Sequence, residues 1–268
     1  MPHIGVDGAE LHYEITGSGP VVVLLNGIFQ RVERWEPLLP ELLGYRVVRY
    51  DMRGQGRSSA PPGPYTPAVH ARDLRQLIDA IGAPRHRLVG LSNGGVVAMT
   101  YALDPEAGAR ARGLDGLALV CTAAHLDVAL RAKLGSWLDA VRSGGVRLRV
   151  QVSLPWAFGR AFLEAHPELL EATALDAAVL GAPDAVAHER LLTGLLALGD
   201  LRAELGKIDV PVRVMSGEDD LLFPPRHGAE IAARIPGATF VALPGVGHQP
   251  PLEDPVAFGA ALRDFLRS

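Results

Sequence analysis

Cysteine occurs once in this 268-residue chain, at Cys121, and lysine twice, at Lys133 and Lys207. A single cysteine excludes an intrachain disulfide and a multi-cysteine metal site, so any reactive centre must use other chemistry. No uninterrupted apolar run approaches the roughly 18 residues of a membrane span. The opening segment, Met-Pro-His-Ile-Gly-Val-Asp-Gly, has no basic stretch followed by an apolar one, and a soluble cytoplasmic protein is expected. His-x-x-x-His pairs and glycine-rich dinucleotide motifs are also lacking, so no metal and no cofactor is expected. The formal net charge is −4, which offers no electrostatic reason to bind nucleic acid. The near-total use of arginine for cations reflects composition more than a phosphate-binding surface. Composition leaves the oligomeric state open.

What the chain has is apolar content, 48% of it, enough for one large core with an insertion. Short apolar runs alternate with longer amphipathic ones: Val21 to Leu25, Trp35 to Leu43, Tyr45 to Tyr50, Ala68 to Ile81, His86 to Leu91, Val96 to Leu103 and Leu114 to Cys121. This is the rhythm of an α/β fold with a parallel sheet. Val21 to Leu25 and Leu117 to Val120 are too uniformly apolar to have one wet face, as expected of strands covered on both sides. Ahead of them, Asp7-Gly8 between two short strand-like runs is a hairpin signal, so the sheet is expected to begin antiparallel.

From about Ala123 the pattern changes to successive helix-like segments, Val128 to Val141, Glu168 to Leu180 and His188 to Leu198. Strand signals return at Val210 to Met215 and Thr239 to Leu243, around the helical Arg226 to Ile235, and Pro255 to Leu266 closes the chain. The expected organisation is one core of residues 1–122 and 206–268, with residues 123–205 inserted as a helical lid.

Gly90-Leu91-Ser92-Asn93-Gly94 is a Gly-x-Ser-x-Gly pentapeptide between a strand-like run and a helix-like one. Thirty glycines can produce such a pattern by chance, so its placement carries the argument. A serine hydroxyl is a weak nucleophile at neutral pH and needs an imidazole to take its proton and a carboxylate to orient that imidazole. His248, in Gly245-Val246-Gly247-His248 after the last strand-like run, is the preferred base among nine histidines. The loop Gly217-Glu218-Asp219-Asp220 supplies three carboxylates after another such run. Asp220 is preferred and Asp219 is its rival.

The order Ser92, Asp220, His248, with each residue after an apolar strand, resembles that of the α/β-hydrolases. Leu25-Asn26-Gly27-Ile28, Asp51-Met52-Arg53-Gly54-Gln55-Gly56-Arg57-Ser58, the serine pentapeptide, the acid loop and the histidine loop together extend the resemblance over nearly the whole chain. It implies a mostly parallel twisted sheet of about eight strands with helices on both faces. It also implies an oxyanion hole from the backbone N–H groups of Ile28 and Asn93. Gly90 and Gly94 flank the sharp turn at Ser92, and Asp51 is expected to brace it. Many relatives carry His-Gly where this chain has Asn26-Gly27; Asn26 suits a supporting role through side-chain hydrogen bonds.

His125, Trp137, Trp156, Phe158 and Phe162 are the candidate walls of an apolar substrate pocket. The expected activity is hydrolysis of a carboxylic ester or lactone through an acyl-enzyme on Ser92, with a small-molecule substrate. Val47 to Ser58 and Cys121 to His125 are similar to 3-oxoadipate enol-lactonases, whose substrate bears a carboxylate. Arg131, Arg142, Arg147, Arg149 and Arg160 are available to meet one, and sequence does not say which points inward. An acyltransferase that joins 3-hydroxyacyl units, a carbon–carbon bond hydrolase and a non-catalytic ligand-binding protein are the other readings.

Overall fold

The computed structural model describes residues 2–104, 113–171 and 185–267. Among these, eight strands form one sheet in the order β1-β2-β4-β3-β5-β6-β7-β8. Strands β1 (His3–Val6) and β2 (Ala9–Thr16) make the expected hairpin, with Val6 opposite Ala9 and Gly8 at φ 68. β2 then pairs antiparallel with β4 (Arg46–Tyr50), and every later pairing is parallel. These are β3 (Val21–Leu25), β5 (His86–Leu91), β6 (Leu114–Val120), β7 (Val212–Gly217) and β8 (Thr239–Leu243).

The period-2 geometry of a strand explains why β3 is apolar throughout. Val23 and Leu25 enter a core shared with α1 (Pro67–Ala80), α2 (Asn93–Ala102) and α6 (Pro225–Arg234), whereas Val22 and Leu24 face the opposite core. That second core is closed by Trp35, Leu38 and Leu42 and by Phe258, Leu262 and Phe265 of α7 (Pro255–Arg267). Burying each such side chain contributes about 1.5–3 kcal/mol.

The segment read as an amphipathic helix over Trp35 to Leu43 is a 3-10 helix, Val32–Leu42. Pro37 and Pro40 inside it have no N–H to donate, so an α-helical ladder is interrupted, while tighter turns still bury Val32, Trp35, Leu38 and Leu42.

Between β6 and β7 lie α3 (Val128–Ala157), α4 (Arg160–Ala165) and α5 (Ala185–Leu196). Asp127 caps α3 by accepting the Leu130 N–H at 2.7 Å. The helix bends sharply at Gly144 and Gly145, the latter at φ 68 and ψ −166, which divides it into two arms. Of the helix expected over Glu168 to Leu180, only a 3-10 turn at Pro167–Leu170 is described; the rest lies outside the described residues. Leu130, Leu134, Trp137, Leu192 and Leu195 pack onto Ile28, Val96 and Phe223 at the sheet edge. No helix among the described residues is long and apolar enough to cross a membrane.

Parallel register aligns the carboxyl ends of the strands, with Leu25 beside Gly90, Leu91 beside Val120 and Gly217 beside Leu243. The loops that follow therefore emerge at one edge, where α/β sheets hold their ligands.

Candidate active site

Three non-glycine residues have positive φ among the described residues, and each follows the end of a parallel strand or its loop: Phe29 after β3, Ser92 after β5 and Cys121 after β6. Backbone strain of this kind costs of order 1–3 kcal/mol and persists only where the surroundings enforce it. Ser92, at φ 56 and ψ −119, is held from both sides. Its N–H donates to Val120 O at 2.8 Å, and its carbonyl accepts the Thr122 hydroxyl at 2.7 Å and the Gly95 N–H at 2.9 Å. The turn leaves no room for side chains beside it. A Cβ on Gly90 would lie 2.4 Å from Gly94 O, and one on Gly94 would lie 2.3 Å from Leu25 O.

The acid loop positions its carboxylates differently. Glu218 and Asp219 are exposed, whereas Asp220 is buried. Asp220 Oδ1 accepts the N–H groups of Leu222 and Phe223 at 2.9 and 2.8 Å, and Oδ2 lies 2.8 Å from His248 Nδ1. The His248 ring stacks on Phe223, with centroids 5.3 Å apart and planes 14° from parallel. Glu253, which the sequence did not single out, ties the histidine loop down: it accepts the Gly247 and Gln249 N–H groups at 2.7 and 2.8 Å and reaches the Gly159 N–H at 2.9 Å. Cys121 lies behind Asp220, and burial together with that carboxylate's charge pushes its thiol pKa well up.

Asn26 is buried away from the site's opening and fastens the loop after β3. Its Nδ2 donates to Tyr50 O at 3.0 Å, and its Oδ1 accepts from Trp35 Nε1 at 2.6 Å. Gln30 accepts the Gly27 N–H at 2.9 Å and donates to Gln249 Oε1 at 2.6 Å, which joins this loop to the histidine loop. Among the described residues no acceptor takes the backbone N–H of Ile28 or of Asn93. Asp51 does not brace the serine turn; its carboxylate accepts the N–H groups of Val32 and Arg57, each at 2.9 Å.

Ser92 and His248 open onto one cavity of about 170 Å³, which Gly27, Ile28, Phe223 and Gln249 also line. Trp137 and Phe158 are in its wall, as expected. Trp156 and Phe162 are not: they stack behind those residues, with centroids 6.3 Å from Trp137 and 5.1 Å from Phe158. His125 is not a wall residue either, because its loop turns it toward α6, where Nδ1 lies 3.4 Å from Glu230 and the ring packs 6.0 Å from His227. Those three residues could ligate a cation, but Glu230 is already paired with Arg202 and Arg234. Sequence reasoning missed Phe29, Gln30, Arg34, Ser153 and Gln249 and left Arg149 undecided; all six line the cavity.

A family profile described as the alpha/beta hydrolase fold matches residues 20–255. The chain belongs to that family. The hydrolase is 34% identical to RutD of Variovorax paradoxus, a protein named for carbamate hydrolysis, over 96% of each chain. It is similar to the enol-lactonase of Burkholderia xenovorans LB400, with 32% identity and a TM-score of 0.88 over the whole of both chains. A thermophilic esterase from Thermogutta terrifontis, in its malate-bound form, shares 32% identity and a TM-score of 0.84 over 97% of this hydrolase and 93% of its own chain.

Proposed function

We propose that this hydrolase cleaves a small carboxylic ester or lactone through an acyl-enzyme on Ser92. The observation that carries the reading is the 2.8 Å contact of Asp220 with His248, whose ring shares a cavity with Ser92. His248 Nε2 takes the hydroxyl proton as Oγ attacks the carbonyl carbon, and the negative charge moves to the carbonyl oxygen. The N–H groups of Ile28 and Asn93 receive that oxyanion, each worth about 3–4 kcal/mol at the transition state. Asp220 holds Nδ1 protonated and stabilises the imidazolium.

Collapse of the tetrahedral intermediate breaks the acyl–oxygen bond, and the imidazolium protonates the departing alkoxide. Water, deprotonated in turn by His248, then attacks the acyl-enzyme and frees Ser92. In this reading residues 123–205 serve as a lid whose α3 and α5 roof the cavity.

Cavity size supports a short substrate. At about 170 Å³ it is comparable with the ~150 Å³ that accommodates benzene, which favours small esters and lactones over long 3-hydroxyacyl chains. The names of the relatives extend the test panel to carbamates and enol-lactones. Replacing Ser92 by Ala is expected to lower turnover of p-nitrophenyl acetate by about 10⁴–10⁶-fold, the scale seen when a triad member is lost, with an unchanged melting temperature. Retained activity would place the nucleophile elsewhere.

A further inference from the structure

Outside the cavity, His125, His227 and Glu230 each bring one possible ligand atom within 4.8 Å of the other two. His227 and Glu230 are one turn apart on α6, so their side chains leave the same face of that helix. His125 comes from the loop after β6, just ahead of the Asp127 cap of α3. The cluster thus joins the start of α3 to the helix that follows the Asp220 loop, from residues far apart in the sequence.

Both imidazoles keep a nitrogen without a hydrogen bond. His227 is 3% exposed, and its buried Nε2 has no hydrogen-bond partner, although Asp127 Oδ2 lies 3.4 Å away. Asp127 is engaged elsewhere: Oδ1 accepts the Leu130 N–H at 2.7 Å, and Oδ2 accepts from Arg226 at 3.0 Å. His125 Nδ1 is likewise buried and unbonded, 3.4 Å from Glu230 Oε2. Burial, with the charges of Arg226 and His125 beside it, lowers the His227 pKa against the opposing pull of Asp127 and Glu230. A neutral ring therefore has a lone pair to give at neutral pH. A buried polar atom left idle costs stability unless a partner arrives to meet it.

The spacing suits ligands around one small ion. Zinc–ligand bonds of about 2.0–2.2 Å at tetrahedral angles set donor atoms about 3.3–3.6 Å apart. His125 Nδ1 and Glu230 Oε2 already meet at 3.4 Å. The arginines beside Glu230 leave that oxygen alone, since Arg202 and Arg234 approach only Oε1, at 3.4 and 3.2 Å. Donors to the far oxygen of a ligating carboxylate fix its orientation without displacing the metal. Two imidazoles with one carboxylate select zinc and its neighbours over magnesium or calcium, which require more oxygen ligands.

We propose that His125, His227 and Glu230 bind one Zn²⁺ or similar transition-metal ion through Nδ1, Nε2 and Oε2, with water completing the coordination. The ion clips the start of α3 to α6, apart from the cavity that holds Ser92, and the proposal does not depend on the acyl-enzyme reading.

The test titrates the chelator-treated full chain with ZnCl₂ by calorimetry, in the native protein, His125→Ala and Glu230→Gln, with circular dichroism to verify folding. Both substituted residues are only half-buried. The expected result is one ion per native chain and a loss of affinity of at least about ten-fold in each variant, since even groups one step removed from a metal count for that much. Zn²⁺ should also raise the melting temperature of the native protein more than that of either variant. CoCl₂ reads the geometry independently: the visible absorption of a four-coordinate ion should appear with the native protein and be lost in His125→Ala. Cys121, Asp220 and His248 also converge closely enough to hold a cation. Zinc bound there would persist in both variants and block turnover of p-nitrophenyl acetate. That result, absence of binding to the native protein, or a loss smaller than ten-fold in either variant overturns the proposal.

Discussion

Asp219 and Asp220 are neighbours of identical chemistry, and the loop after β7 separates their roles. Asp219 faces water, whereas both oxygens of Asp220 are engaged, one by two backbone N–H groups and the other by His248. Asp220→Asn can keep a carbonyl oxygen toward Leu222 and Phe223, but it then presents an NH₂ to His248 and favours the wrong imidazole tautomer. The expected loss in kcat is about 10³–10⁴-fold with little change in melting temperature, whereas Asp219→Asn should lie within two-fold of the native enzyme. Equal losses in the two variants would reject this assignment. The sequence could narrow the acid to this loop because a strand end and a following proline turn are local signals. It did not settle which carboxylate turned inward, since that depends on the loop's hydrogen bonds. His125 shows the same limit in reverse: it was a candidate for the pocket wall, and the path of the chain into α3 turns it toward Glu230 instead.

At the scale of elements, strands and their order were legible because apolar runs covered on both faces have few other solutions. The sharp serine turn was legible because its glycines are required by backbone contact. The roof of the cavity was not. Which side of α3 faces the cavity depends on the bend at Gly144-Gly145, and a helical wheel drawn through that bend rotates the second arm wrongly. Gly145 occupies a backbone region essentially reserved for glycine, although a Cβ there would meet open space. Gly145→Ala therefore isolates conformational strain from steric clash. It should destabilise the protein by about 1–3 kcal/mol, or shift the second arm to relieve the strain. Because that arm carries Arg149, Val150, Ser153 and Leu154, which line the cavity, the second outcome should raise KM for p-nitrophenyl acetate. Unchanged melting temperature together with unchanged KM would show that the bend does not position the roof.

For the whole molecule, acid should weaken the fold through histidines that take no part in the proposed chemistry. His70 and His188 are each 1% exposed and have no hydrogen-bond partner at either ring nitrogen. Burial pulls each pKa from 6.5 down to about 3, helped by Arg53 beside His70 and by Arg149 beside His188. The folded state thus keeps both rings neutral, while the unfolded chain takes up protons as pH falls below 6.5. Their contribution to stability is complete above that value and diminishes steadily toward pH 3, by about 1.4 kcal/mol per pH unit for each ring. Asp51 and Asp73 act in the opposite sense, because burial raises their pKa values and favours the folded state in acid. A difference between variants removes that background. Urea unfolding of the native protein and of His70→Leu between pH 7.5 and 5 should give curves of stability against pH that are parallel above about pH 6.5 and differ in slope below it. The native slope below pH 6.5 should be steeper by about 1.4 kcal/mol per unit. Curves that stay parallel below that value would mean that His70 is protonated as readily in the folded protein as in the unfolded chain.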